Sequence, residues 1–140
     1  SKIFMLCSKE HSSFKYLLSK LDIYKNIDFH GRLVVTKVVQ QIVGNGALPI
    51  VVSHQILNEL NFLHLEMLHF GLPLIHNCDL LNPAGFFYPD HNVNLGGRQL
   101  KTAINHFNSS EYKQKCDLVL ANFNPKNPRI IETYKNLLKI

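Results

Sequence analysis

Short apolar runs of strand length alternate along this chain with segments of helical periodicity. The predicted strands span residues 3–7, 27–30, 48–52 and 74–76. Between them, apolar residues recur at the three- and four-residue spacing of a helix that buries one face, as in residues 35–43. This order of strands and helices, with further helices behind it, predicts an α/β fold with a single Rossmann-like, doubly wound parallel sheet flanked by helices.

Glycine, proline and capping residues predict where several helices begin and end. Asn58 or Glu59 is expected to open the helix between the third and fourth strands. Gly71 ends that helix, and Pro73 prevents its continuation. Residues 77–94 are predicted to form a long, mostly irregular loop, and long loops in small domains are often functional.

Composition narrows the class of protein and of ligand. Apolar residues make up 46 % of the 140, which is enough for a folded domain with a core. No apolar run has the roughly 18 residues of a membrane span, so none is expected. The net charge is +5, but the lysines are scattered singly and no nucleic-acid motif is present. We therefore expect no nucleic-acid partner, and an anionic small ligand fits the charge.

The cysteines indicate a reducing compartment. Cys7, Cys78 and Cys116 are widely spaced and odd in number, and no CxxC pair occurs. Neither a disulfide framework nor a zinc knuckle is indicated, and a cytoplasmic location is expected.

Polar residues follow each predicted strand, at the position where parallel sheets bind their ligands. The residues at the carboxyl ends of the third and fourth strands are Ser53, His54, Gln55, His76 and Asn77. The carboxyl ends of parallel strands meet at one edge, so these side chains are predicted to form a binding site. His30, Gly31 and Arg32 lie at the end of the second strand, and Arg32 at a helix start suits a phosphate.

The segment after the third strand predicts contacts to a nucleotide. Asn58, Leu60 and Asn61 lie at the predicted helix start, whose free N–H groups can hold a diphosphate. Glu66 follows about two turns along an otherwise apolar face, where a carboxylate needs a partner such as a ribose diol. The alternative is an exposed glutamate on the outer face of the helix.

Eight histidines also raise the question of a metal. His64 and His69 are five residues apart, which does not place them on one helix face. A three-histidine site from His30, His54 and His76 is a geometric alternative. The pattern favours neither this site nor a cysteine nucleophile at Cys78.

A family resemblance emerges from the same residues. Residues 65–77 read Leu-Glu-Met-Leu-His-Phe-Gly-Leu-Pro-Leu-Ile-His-Asn and resemble the donor-site stretch of GT-B glycosyltransferases. With Ser-His-Gln at 53–55, Leu-Asn-Phe at 60–62 and Gly-Phe-Phe-Tyr-Pro-Asp at 85–90, the chain is similar to a branch of bacterial and viral glycosyltransferase-like proteins. That branch carries SHQ, LNY, PLVHN and GYYYPDF signatures.

The resemblance implies roles for individual residues. Glu66 matches the glutamate that hydrogen-bonds the donor ribose, and Asn58, Leu60 and Asn61 match the helix start that faces diphosphate and sugar. Arg32 lies near the position of a phosphate-binding cation. GT-B relatives use such protein cations, so the resemblance implies that no metal and no cofactor is needed. Retaining members carry a second glutamate eight positions before the ribose glutamate. Here that position is Asn58, so no stereochemistry is assigned.

These observations predict the C-terminal half of a GT-B fold, with residues 1–140 forming one donor-binding domain of a larger protein. It would bind a nucleotide diphosphate-sugar for a metal-independent glycosyltransferase, together with an N-terminal acceptor-binding domain of the same protein. On its own the domain is expected to be inactive. The alternative is a non-catalytic α/β nucleotide-binding or interaction module derived from that fold.

Overall fold

The computed structural model describes residues 3–5, 12–13, 16, 20, 27–31, 34–58 and 61–139. The chain divides into two compact units, Ser1–Leu48 and Pro49–Ile140. Each unit is described by itself below.

The first unit contains a parallel strand pair and a helix. Strands β1 (Ile3–Met5) and β2 (Ile27–Phe29) pair in parallel, with Ile3 opposite Ile27. Helix α1 (Val35–Gly44) follows, and the backbone N–H of Asn45 donates to carbonyls of its last turn. Gly46 then takes a left-handed φ of +75°, which glycine adopts without steric cost. The helix therefore ends at the Gly-Asn-Gly sequence of residues 44–46.

The second unit is built on three parallel strands with β4 in the centre. The strands are β3 (Val51–Ser53), β4 (Leu74–His76) and β5 (Phe86–Phe87). The helices are α2 (Phe62–His69), α3 (Val93–His106), α4 (Ser109–Leu120) and α5 (Pro128–Leu138). Short 3-10 turns occupy Asp79–Leu81 and Ala121–Phe123.

An α/β fold with parallel strands and flanking helices is therefore confirmed. Among the described residues the strands form two sheets, of two and three strands. One doubly wound sheet and one domain over residues 1–140 stay predictions. None of the helices within the described part of the chain is long and apolar enough to cross a membrane.

Strand β4 forms the centre of the core because the other elements of the second unit cover both of its faces, and all three of its residues are buried. Leu74 and Ile75 are completely buried, as are Met67 and Leu68 of α2. Burying a side chain of this size stabilises a fold by about 1.5–3 kcal/mol. From α4, the Tyr112 hydroxyl donates to Leu72 O at 2.8 Å and accepts from Leu74 N at 3.0 Å. Tyr112 thereby fixes the start of β4 against α4.

Asparagine caps determine where the helices of the second unit begin. The Asn61 side chain accepts a hydrogen bond from Leu63 N at 2.9 Å, so α2 begins at Phe62 and not at Asn58 or Glu59 as predicted. Asn58 instead donates to Gln55 Oε1 at 3.4 Å, and Glu59 lies outside the described residues.

The segment 77–94 is more regular than its sequence suggests. It contains the 3-10 turn, strand β5 and the start of α3. Phe86 and Phe87 are drawn into the sheet by pairing with Ile75 and His76. Most of the segment is irregular, as predicted, but strand β5 was not foreseen, because its pairing is a tertiary contact with no periodic signal in two residues.

Candidate functional site

Polar side chains converge where the three strands of the second unit end. Ser53 lies opposite His76, and His76 lies opposite Phe87, so the residues that follow the strands share one edge of the sheet. We call His54, Gln55, Asn77, Tyr88 and His91 the strand-end cluster. His64 in the first turn of α2 lies 2.8 Å from Ser53 Oγ at the end of β3, and His91, two residues before α3, accepts from Asn77, so both helices begin near this edge.

Asn77 links the loops behind β3 and β4. Its Oδ1 accepts from Gln55 N at 2.8 Å, and its Nδ2 donates to Gln55 O at 2.7 Å. The side-chain amide thus pairs with the backbone of Gln55 as a neighbouring strand would. Its orientation is fixed, because a backbone N–H only donates and a carbonyl only accepts. The Nδ2 group also donates to His91 Nδ1 at 2.6 Å.

His54 rests on Tyr88. Its Nδ1 lies 2.8 Å from the Tyr88 hydroxyl, and the two rings are stacked with centroids 6.0 Å apart. Burial raises the pKa of Tyr88, so the phenol keeps its proton. The Tyr88 ring lies close to Gly96 of α3, where a Cβ would come within 3.1 Å of Tyr88 Cζ. His54 itself is exposed at the surface.

His76 lies beneath the strand-end cluster and is completely buried. Its Nε2 donates to Ala84 O at 2.9 Å, and its Nδ1 accepts from Cys78 N at 3.2 Å. The second bond requires a neutral ring, and burial lowers the pKa of His76 in agreement with this. Both ring nitrogens are occupied, so the predicted direct contact of His76 with a ligand is corrected. His76 instead holds the loop behind β4.

Ser53 and His64 form the other buried pair. Ser53 Oγ accepts from Gln55 Nε2 at 2.9 Å and lies 2.8 Å from His64 Nε2. Burial, with a smaller effect of His76, lowers the pKa of His64 to about 4. Within the described part of the chain, His64 Nδ1 has no hydrogen-bond partner. Ser53 is 7 % exposed, so it positions Gln55 and is not presented to a ligand as predicted.

The other predicted site residues lie in different environments. Asn58 is exposed, and Asn61 uses its side chain to cap α2. Glu66 lies on the exposed face of α2, between Phe62 and Phe70, which are also exposed. The apolar face expected around Glu66 is therefore a solvent-facing one.

For three of the predicted site residues, no position relative to the strand-end cluster is described. Arg32 and Leu60 lie outside the described residues. His30 belongs to the first unit, which is described by itself.

Sequence reasoning missed His64, Tyr88 and His91. Tyr88 and His91 follow β5, a strand too short to be predicted, and His64 lies on a helix whose start was misplaced. An available signal was the Tyr-Pro-Asp-His sequence itself, which places two aromatic polar side chains behind an apolar pair.

No group of three or more His, Cys, Asp or Glu side chains close enough to hold a metal occurs among the residues that the structure describes. His76 also has no free nitrogen, so it does not suit the three-histidine alternative. Cys78 and Cys116 are both buried.

Fold and cluster together define an α/β protein with a polar strand-end cluster. Residues 5–138 match the model of a family described as "Protein of unknown function (DUF2827)". The chain belongs to this family, DUF2827. Comparison with curated proteins and with solved structures finds no match.

Proposed function

We propose that this chain is the donor-binding domain of a metal-independent glycosyltransferase of the GT-B type. The observation that supports this best is the convergence of His54, Gln55 and Asn77 at the carboxyl edge of a parallel sheet. Ligands of open α/β sheets bind outside this edge. The first turn of α2 begins there, and its N–H groups favour an anionic ligand.

The proposed ligand is a nucleotide diphosphate-sugar. Exposed His54 and Asn58, with half-buried Gln55, supply polar contacts around the strand ends. Glu66 is exposed one turn into α2, and its carboxylate would accept hydrogen bonds from the ribose hydroxyls. Donors fixed at the diphosphate would stabilise the charge that develops on the leaving group during sugar transfer. The acceptor and the catalytic base would come from an N-terminal domain of the same protein.

Titration of the 140-residue chain with uridine and guanosine diphosphate-sugars tests this proposal. Saturable binding of one nucleotide class is expected, with chemical-shift changes in the strand-end cluster. If no nucleotide in the panel binds, the donor-site proposal is wrong. Nucleotide binding with no transfer by the whole protein would favour the non-catalytic module.

Glu66→Gln should weaken the binding of uridine and uridine diphosphate alike, about tenfold, if uridine is the preferred nucleoside. A hydrogen bond to a charged group contributes about 1.5–3 kcal/mol, and the ribose is common to both ligands. Calorimetry with both ligands measures the two losses.

The matched control is Glu132→Gln, which alters an exposed glutamate of α5. It should leave both affinities unchanged. Unaltered nucleoside affinity in Glu66→Gln would remove Glu66 from the site.

A further inference from the structure

His91 has a defined tautomer because of Asn77. The amide orientation of Asn77 is fixed by both backbone groups of Gln55, so the group that faces His91 Nδ1 at 2.6 Å is an N–H donor. His91 Nδ1 therefore accepts, and the proton of the neutral ring lies on Nε2. His91 is exposed, so this N–H is presented to solvent.

His54 carries its proton on the corresponding nitrogen. The Tyr88 hydroxyl has His54 Nδ1 as its hydrogen-bond partner, and Tyr88 is 3 % exposed. If His54 donated, the buried Tyr88 proton would have no acceptor among the described residues. Tyr88 therefore donates to Nδ1, and His54 also presents an Nε2–H outward.

The two rings are neighbours. Their centroids are 5.6 Å apart in an edge-to-face arrangement, and no carboxylate in the described part of the chain is hydrogen-bonded to either. The loop that carries His91 is held in an unusual shape, with left-handed φ at both Asp90 and His91. Such strained positions in residues other than glycine concentrate at ligand sites.

We propose that His54 and His91 form a two-imidazole clamp for a diphosphate, with Asn77 and Tyr88 as positioning residues. The clamp rests on the proposed function, to which it assigns the diphosphate contact. Two outward N–H donors to which no described carboxylate is hydrogen-bonded suit an oxyanion. A diphosphate spreads its oxygens over two phosphorus centres, so it spans the neighbouring rings better than a single phosphate. The starts of α2 and α3 on this side favour negative charge as well.

The test uses the full chain, labelled with nitrogen-15, and inorganic pyrophosphate as the probe. Long-range proton–nitrogen spectra should show the Nε2–H form for both rings, and pyrophosphate should shift these signals. His54→Phe and His91→Phe retain an aromatic ring but lack the donor. Each should weaken pyrophosphate binding about tenfold or more, and pyrophosphate should bind more tightly than orthophosphate.

The matched control is His106→Phe. His106 is exposed at the far end of α3, about 20 Å along the helix axis from His91, and its loss should leave pyrophosphate affinity unchanged. His54→Gln retains an N–H donor and should recover part of the affinity lost in His54→Phe. Asn77→Asp removes the donor to His91 Nδ1, and the His91 proton should then move to Nδ1.

The outcomes separate the clamp from the proposed function. Pyrophosphate affinity equal to wild type in both phenylalanine variants, or signals of the Nδ1–H form in the wild type, would overturn the clamp even if nucleotides bind. Histidine-dependent pyrophosphate binding to which no nucleoside or sugar adds affinity would support the clamp and refute the donor-site proposal.

Discussion

Gly85→Ala is expected to destabilise the second unit by about 3 kcal/mol or more. Gly85 has a left-handed φ of +70°, which costs an L-residue roughly 1–2 kcal/mol. An added Cβ would lie 2.5 Å from His76 Nε2 and 3.0 Å from Leu74 O. Such overpacking costs about 1–3 kcal/mol, and displacement of His76 from Ala84 O would leave buried polar groups unpaired. Urea unfolding followed by circular dichroism measures the loss.

Two other glycines of the same unit separate the causes. Gly71 also has a left-handed φ, of +67°, but an added Cβ would meet only the flexible Lys113 side chain at 3.4 Å. Gly71→Ala should therefore cost only the conformational part. Gly97 lies within α3 with no atom within 4 Å of an added Cβ, so Gly97→Ala should be neutral or stabilising. Equal stability of the Gly85 and Gly97 variants would refute the close packing of His76 against this loop.

The sequence was sufficient to predict the elements with strong local signals. Leu74–His76 is an apolar run between Gly71 and the polar residues behind it, and the strand has these bounds. Pro128 follows Asn127 as the first residue of α5, as capping rules require. The prediction of where α2 begins was wrong because Asn58 and Asn61 are both able to cap a helix. In the structure Asn61 caps α2, whereas Asn58 donates to Gln55 Oε1 three residues earlier, and only Gln55 is held by a tertiary contact, with Asn77.

The location of the candidate site was predictable from the sequence, but the role of each residue in it was not. The rule that ligands bind at strand ends led to His54, Gln55 and Asn77, which do converge. It also led to His76, which is buried by the loop that returns over it to β5. Whether a strand-end histidine faces solvent or the core depends on this return path. The path is set by the pairing of two phenylalanines, which no local pattern encodes.

Burial of His64 should make the second unit acid-sensitive in a defined range. The pKa of His64 is lowered by burial from 6.5 to about 4, so between these values the unfolded chain binds a proton that the folded one does not. Stability falls as the pH decreases through this window, and the loss is complete below about pH 4. A shift of this size corresponds to about 3 kcal/mol. Urea unfolding at about pH 7 and about pH 4 measures the total acid effect.

Comparison with His64→Gln isolates the part of the acid-induced loss of stability that comes from His64. Glutamine retains an amide that can reach Ser53 Oγ but does not titrate, whereas His76 and the carboxylates titrate in both proteins. The variant should therefore lose about 3 kcal/mol less than the wild type over the same pH range. His69→Gln, on the exposed end of the same helix, should lose as much as the wild type. If His64→Gln and His69→Gln show the same acid dependence, the pKa of His64 is not lowered in the folded protein, and its burial must differ from that described.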